Sequence, residues 1–133
     1  MIYLDTAALV KLVRVESESA ALVRWLNDRA GQPLIASCLV EVELPRALRR
    51  SHPGVLGSVA GVLGRLHRVD ISAAVRANAA AYVDPALRTL DAIHAATAEF
   101  LVASGKDLTA FVTYDKRLAE VVARSGLPVV APA

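Results

Sequence analysis

The sequence predicts an α/β fold in which a short parallel sheet is covered by helices on both faces. Three observations lead there. Short β-prone runs alternate with segments of helical periodicity along the chain. Those runs are almost continuously apolar, as strands buried on both faces must be. The 133 residues contain no linker, internal repeat or low-complexity stretch, so residues 1–133 are expected to make one domain.

Ile2-Tyr3-Leu4 opens the chain as a strand that ends at Asp5, and a helical pattern follows at once over Ala7–Val13. The next helix is expected over Ser17–Arg29, with Ser17 as its cap, Leu22, Val23 and Leu26 on one face, and Gly31 ending it. Leu34-Ile35-Ala36 reads as a second strand and Cys38–Arg50 as a helix stopped near His52-Pro53-Gly54. Val55–Leu66 reads as a helix weakened by Gly57, Gly61 and Gly64, followed by a strand at Val69-Asp70-Ile71. Ser72 caps a helix reaching Val83, which Asp84-Pro85 breaks, and Leu90–Ser104 is a periodic helix closed by Gly105. Ala110–Thr113 is a strand, Asp115–Ser125 a helix, and Val129-Val130 the last strand.

Ligands of open parallel sheets bind at the carboxyl ends of the strands. Asp5 lies just past the first strand and Asp115 just past Ala110–Thr113, so the two carboxylates reach one edge if those strands are neighbours. Two more acids interrupt apolar stretches. Asp91 sits in a helix that is apolar nearly all round, and no basic partner is evident one turn away. A carboxylate buried there costs several kcal/mol unless something pairs with it. Glu43 is placed similarly. Its neighbour Glu41 is about 200° away round a helix, so only one of the two faces inward.

Acids brought this close repel one another, and a hard divalent cation resolves the repulsion. Oxygen donors without a His or Cys set favour Mg2+, with Mn2+ as substitute, over Zn2+. Such an ion activates water and neutralises charge on a phosphate, which is the chemistry of phosphodiester hydrolysis. Each acid also has a plainer reading. Asp5 and Asp115 can each cap the helix that follows, Asp91 can be a first-turn acid favoured by the helix dipole, and Glu43 can be exposed.

Four segments in order carry a resemblance: Ile2-Tyr3-Leu4-Asp5-Thr6-Ala7-Ala8-Leu9-Val10-Lys11-Leu12; Val42-Glu43-Leu44 with Arg46-Ala47-Leu48-Arg49; Leu90-Asp91-Ala92-Ile93-His94-Ala95-Ala96-Thr97-Ala98; and Phe111-Val112-Thr113-Tyr114-Asp115-Lys116-Arg117-Leu118. Together they resemble the PIN-domain family, and within it the VapC-type toxins, over almost the whole chain. The resemblance implies a three-layer α/β/α fold and Mg2+- or Mn2+-dependent endoribonuclease activity. It implies that Asp5, Glu43, Asp91 and Asp115 form the acidic metal-binding set, with Thr113 as a supporting polar residue. It further implies a homodimer and a VapB-type antitoxin that covers the pocket. DNA is reached only indirectly, through the antitoxin. The chain departs from the pattern at Ala95, which replaces a common leucine, and at Pro45, which stands inside a helix where it kinks the chain or delays the helix start, with consequences for the aim of Glu43.

The remaining features bound this reading. The formal charge of +2 is too small for binding nucleic acid by charge alone. Arg46 and Arg49 flank Glu43 and read either as contacts to RNA phosphates or an acidic antitoxin tail, or as solvated surface. His94, three residues after Asp91, reads as a core histidine with a hydrogen-bond partner or as a neighbour of the site. An apolar share of 55% exceeds what so small a body buries, which points to a subunit interface. No apolar run reaches membrane-spanning length, no signal-peptide pattern opens the chain, and the lone Cys38 permits no internal disulfide, so a cytoplasmic setting without membrane contact is expected. Two rivals stand beside the nuclease. A haloacid-dehalogenase-type phosphatase also opens on a strand ending in Asp, but needs a second acid where Ala7 stands. A catalytically silent PIN-like interaction module would have no use for all four acids.

Overall fold

A computed structural model describes residues 1–133. Its five strands are all parallel: β1 (Ile2–Leu4), β2 (Leu34–Ser37), β3 (Leu66–Val69), β4 (Ala110–Val112) and β5 (Val129–Val130), in the order β3-β2-β1-β4-β5. Seven helices connect them: α1 (Thr6–Val13), α2 (Ser19–Asn27), α3 (Val40–Ser51), α4 (Val59–Leu63), α5 (Ala73–Ala81), α6 (Thr89–Ala103) and α7 (Lys116–Arg124). The chain runs from β1 outward to β3, then crosses back to the other side of β1 for β4 and β5. Right-handed crossovers put helices on opposite faces when the direction of progress reverses. The packing follows that rule.

The pleat sorts the core. Ile2, Leu4, Ala36, Ala110 and Val112 face Ala8 and Leu9 of α1, Leu22 and Leu26 of α2, Val40, Leu44 and Leu48 of α3, and Val59 of α4. Tyr3, Ile35 and Phe111 face the other way, onto Ala95, Ala98 and Leu101 of α6 and Leu118, Val121 and Val122 of α7. The two sets alternate along each strand because side chains in a strand have a period of two. Helix α5 packs on α6. The result is a three-layer α/β/α body built on a parallel sheet, as expected.

Several boundaries differ from the sequence expectation. The helix expected over Val55–Leu66 is a 3-10 segment, Pro53–Ser58, followed by the short α4, since its glycines weaken a continuous helix. The third strand is Leu66–Val69 rather than Val69-Asp70-Ile71: it is an edge strand whose His67 and Arg68 are exposed, so it lacks the apolar run expected of a buried strand. Helix α2 begins at Ser19 without a side-chain cap, and its last residue is Asn27, ahead of Gly31. Ser72 does cap α5 by accepting from the Val75 amide. Gly105, at φ 85°, follows α6, where the Lys106 amide donates back to the Leu101 carbonyl. Helix α3 is continuous through Pro45 and starts at Val40, two residues later than expected.

Candidate active site

The reversal of chain direction at β1 leaves a crevice at the carboxyl ends of β1 and β4, the position where parallel α/β sheets receive ligands. The β1–β4 register pairs Ile2 with Ala110, Tyr3 with Phe111 and Leu4 with Val112. One step further along both strands come Asp5 and Thr113, and the Thr113 hydroxyl donates to Asp5 Oδ2 at 2.5 Å. Asp5 Oδ1 accepts from the Ala8 amide at 2.9 Å and so caps α1. Asp115 repeats the device at β4: Oδ1 accepts from the Leu118 amide at 2.9 Å and caps α7, while its own amide donates to Thr113 Oγ1 at 3.1 Å. Thr113 therefore ties the two aspartates together. The capping reading of Asp5 and Asp115 is correct, yet each cap uses Oδ1 and leaves Oδ2 for other partners.

Glu43 and His94 meet from α3 and α6. Nε2 of His94 lies 2.8 Å from Glu43 Oε1, and the Thr6 hydroxyl donates to the same oxygen at 2.7 Å. A carboxylate accepts only, so Nε2 carries the ring proton. The neutral ring then accepts at Nδ1 from the Tyr3 hydroxyl, 2.8 Å away, and Tyr3 accepts in turn from the Ser37 amide at 3.2 Å. His94 is 2% exposed and Tyr3 is fully buried, stacked on Phe111 with ring centroids 4.7 Å apart. Both sequence readings of His94 hold, since it is a buried, partnered histidine and its partner is a candidate site acid. Burial pushes the Glu43 carboxyl up, but the bonds from His94 and Thr6 outweigh it and hold it below the ordinary value. Glu41 points the other way and pairs with Arg68 at 3.3 Å. Glu43 faces inward although Pro45 stands two residues further on inside α3.

Asp91 stands in the first turn of α6 at the rim of the crevice, half-buried rather than enclosed. It has a basic partner after all. Arg88, the residue just ahead of α6, reaches forward one turn, its Nε 3.3 Å from Asp91 Oδ2 and its Nη2 3.7 Å from Asp115 Oδ2. The i,i+3 spacing is visible in the sequence.

Asp5, Glu43, Asp91 and Asp115 all line one cavity of about 510 Å3, together with Thr6, His94, Arg88, Arg46 and Arg50. Arg50 shares the inward face of α3 because it lies two turns beyond Glu43. Arg49 is about 120° off that face, is exposed, and does not line the cavity. Asp5 is 3% exposed, and burial raises its carboxyl above the ordinary value; the Thr113 bond opposes the rise and the Asp91 charge adds to it. This converging negative charge, offered by oxygen atoms alone, suits a hard divalent cation. No three His, Cys, Asp or Glu side chains close around a common point, and the Arg88 guanidinium bridges two of the carboxylates. A positive charge thus already stands beside the acids.

Sequence reasoning missed Thr6, Tyr3 and Ser37 along with Arg88. Tyr3 and Ser37 carry no local signal, because each matters only through a partner far along the chain.

A model of the PIN domain matches residues 2–123 of the chain. The chain is 55% identical over 132 residues to Ribonuclease VapC35 of Mycobacterium tuberculosis, covering 99% of this chain and 97% of that one. It is 38% identical to Ribonuclease VapC46 of the same organism over 131 residues, covering 98% and 97%. Among solved structures it superposes on M. tuberculosis VapC20, described as a sarcin-ricin-loop-cleaving toxin, with TM-score 0.72 at 18% identity over 99% of this chain and 100% of the other. FitAcB from Neisseria gonorrhoeae gives 0.74 at 20% identity, covering 99% and 98%. VapBC2 from Rickettsia felis, bound to a DNA fragment from its promoter, gives 0.67 at 19% identity over 100% of both chains.

Proposed function

The chain belongs to the PIN-domain family, and on that premise we propose that it is a Mg2+-dependent endoribonuclease acting as the toxin of a type II toxin–antitoxin pair. The observation that carries the reading is the convergence of Asp5, Glu43, Asp91 and Asp115 on one cavity at the switch point of the sheet. Relatives named ribonucleases, at 55% and 38% identity over nearly the full chain, support it.

The four carboxylates would hold Mg2+, or Mn2+ in its place. When bound, the ion supplies Lewis-acid stabilisation of charge on the scissile phosphate and activation of water. The rest is done by the protein. Thr113 donates to Asp5 Oδ2 and accepts from the Asp115 amide, so these two acids hold their spacing without an ion. His94 and Thr6 fix Glu43 in its ionised form, ready to accept a hydrogen bond or a proton from a group brought into the cavity. Arg46 and Arg50 line the cavity and attract the RNA backbone. We take residues 1–133 to act as one PIN domain, in a cytoplasmic homodimer neutralised by a VapB-type antitoxin. The VapBC2 structure on promoter DNA supports a DNA link that runs through the complex. No helix of the chain is long and apolar enough to cross a membrane.

The test is cleavage of labelled RNA by purified protein with Mg2+ or Mn2+. Cleavage is expected to vanish with EDTA and in Asp5→Ala at preserved circular dichroism. Cleavage retained by folded Asp5→Ala defeats the assignment. Growth arrest on expression, relieved by a small neighbouring antitoxin gene, tests the biological role.

A further inference from the structure

We propose that Arg88 is a built-in counter-ion of the acidic site, which a divalent cation must displace in order to bind. This rests on the metal-binding reading above and adds a competitor from within the chain. The guanidinium reaches Asp91 Oδ2 at 3.3 Å and Asp115 Oδ2 at 3.7 Å, so one cation spans acids delivered by α6 and by the β4–α7 junction. Its field also falls on Glu43, where it favours the charged carboxylate. In this arrangement no three acidic or histidine side chains close on a common point.

The chain geometry suits a displaceable group. Arg88 precedes α6 in extended conformation and makes no side-chain cap bond, so nothing in the helix start depends on the guanidinium. The side chain is 75% exposed, against 21% for Asp91 and 30% for Asp115, so it lies over the acids from the solvent side. A monovalent, exposed guanidinium is a weak partner, because water and salt screen it and ordering its long side chain costs entropy. A small divalent ion concentrates twice the charge on the same oxygens. The exchange frees Arg88 at the mouth of the cavity, where a polyanionic strand arrives. Arg88 thereby holds the acids together without the ion and raises the cation concentration needed to load the site.

Mn2+ titration by calorimetry at fixed ionic strength tests this on wild type, Arg88→Gln and Arg46→Gln. Arg46→Gln removes the same charge from the same cavity without breaking a carboxylate pair. Arg88→Gln is expected to bind Mn2+ roughly two- to fivefold more tightly than wild type, the scale of an exposed ion pair, and to exceed any gain in Arg46→Gln. Equal gains in the two variants, or no gain in Arg88→Gln, overturn the inference and leave the metal reading standing. Absence of Mn2+ binding in all three proteins overturns both.

Discussion

Nε2 of His94 lies 2.8 Å from Oε1 of Glu43, joining two residues 51 positions apart through a ring that is almost wholly buried. The bond is the last of a relay that begins at the Ser37 amide and passes through Tyr3. Each donor has one acceptor, and no buried side-chain polar atom of the chain lacks a partner. The aim of Glu43 is thus set by the sheet beneath it.

His94→Ala is expected to reduce RNA cleavage about 10–100-fold, the usual cost of removing a group that orients a metal-binding side chain. His94→Gln, which can still donate to Glu43, should recover part of the rate. Loss of stability without loss of rate would show the ring to be packing only. Cleavage rates and urea unfolding of the two variants separate these outcomes.

Tyr3→Phe keeps the stack on Phe111 but strips the Ser37 amide of its acceptor and His94 of its donor. Leaving buried groups unpaired costs about 1–3 kcal/mol, so the midpoint of urea unfolding should fall accordingly. An unchanged midpoint would mean that the relay contributes no stability.

Thr113 links Asp5 to Asp115, its hydroxyl donating to the Asp5 carboxylate and accepting from the Asp115 amide. Thr113→Val keeps the shape and removes both bonds, so cleavage should drop about 10–100-fold, whereas Thr113→Ser should stay near wild type. Equal activity in the valine and serine variants would sink this role.

Asp5→Asn is expected to stabilise the ion-free protein at neutral pH. Burial raises the Asp5 carboxyl, so the folded state holds the proton more tightly than the unfolded state does. Below the ordinary carboxylate range the group is neutral in both states and costs nothing. The penalty grows as pH climbs from that range and is complete above the raised value. Thermal melts in EDTA across pH should therefore show a gain for Asp5→Asn that disappears in acid. Asparagine remains a good cap for α1, so the helix start is not at issue.

Pro45 lies inside α3 and offers no amide to the Glu41 carbonyl. Pro45→Ala restores that bond. The gain should be about 2 kcal/mol once the greater freedom of the unfolded chain is subtracted, with cleavage unchanged because Glu43 already faces inward. Chemical denaturation and the cleavage assay check both halves.

Local features were legible in the order of residues alone. Apolar runs alternating with helical periodicity announced the parallel α/β sandwich, and Asp5 and Asp115 stood out because each ends an apolar strand and starts a helix. The 200° offset between Glu41 and Glu43 restricted the inward face to one of them. Partnership, by contrast, arose on folding. Strand order made β1 and β4 neighbours, register set Thr113 beside Asp5, and the packing of α3 and α6 on the sheet brought Glu43 to His94 and Tyr3. The polar edge strand β3 and the bridge from Arg88 to Asp115 belong to the same class. Periodicity gives the phase of a side chain on its own element. Which residue it meets depends on contacts between segments far apart along the chain, and those form only when the layers pack.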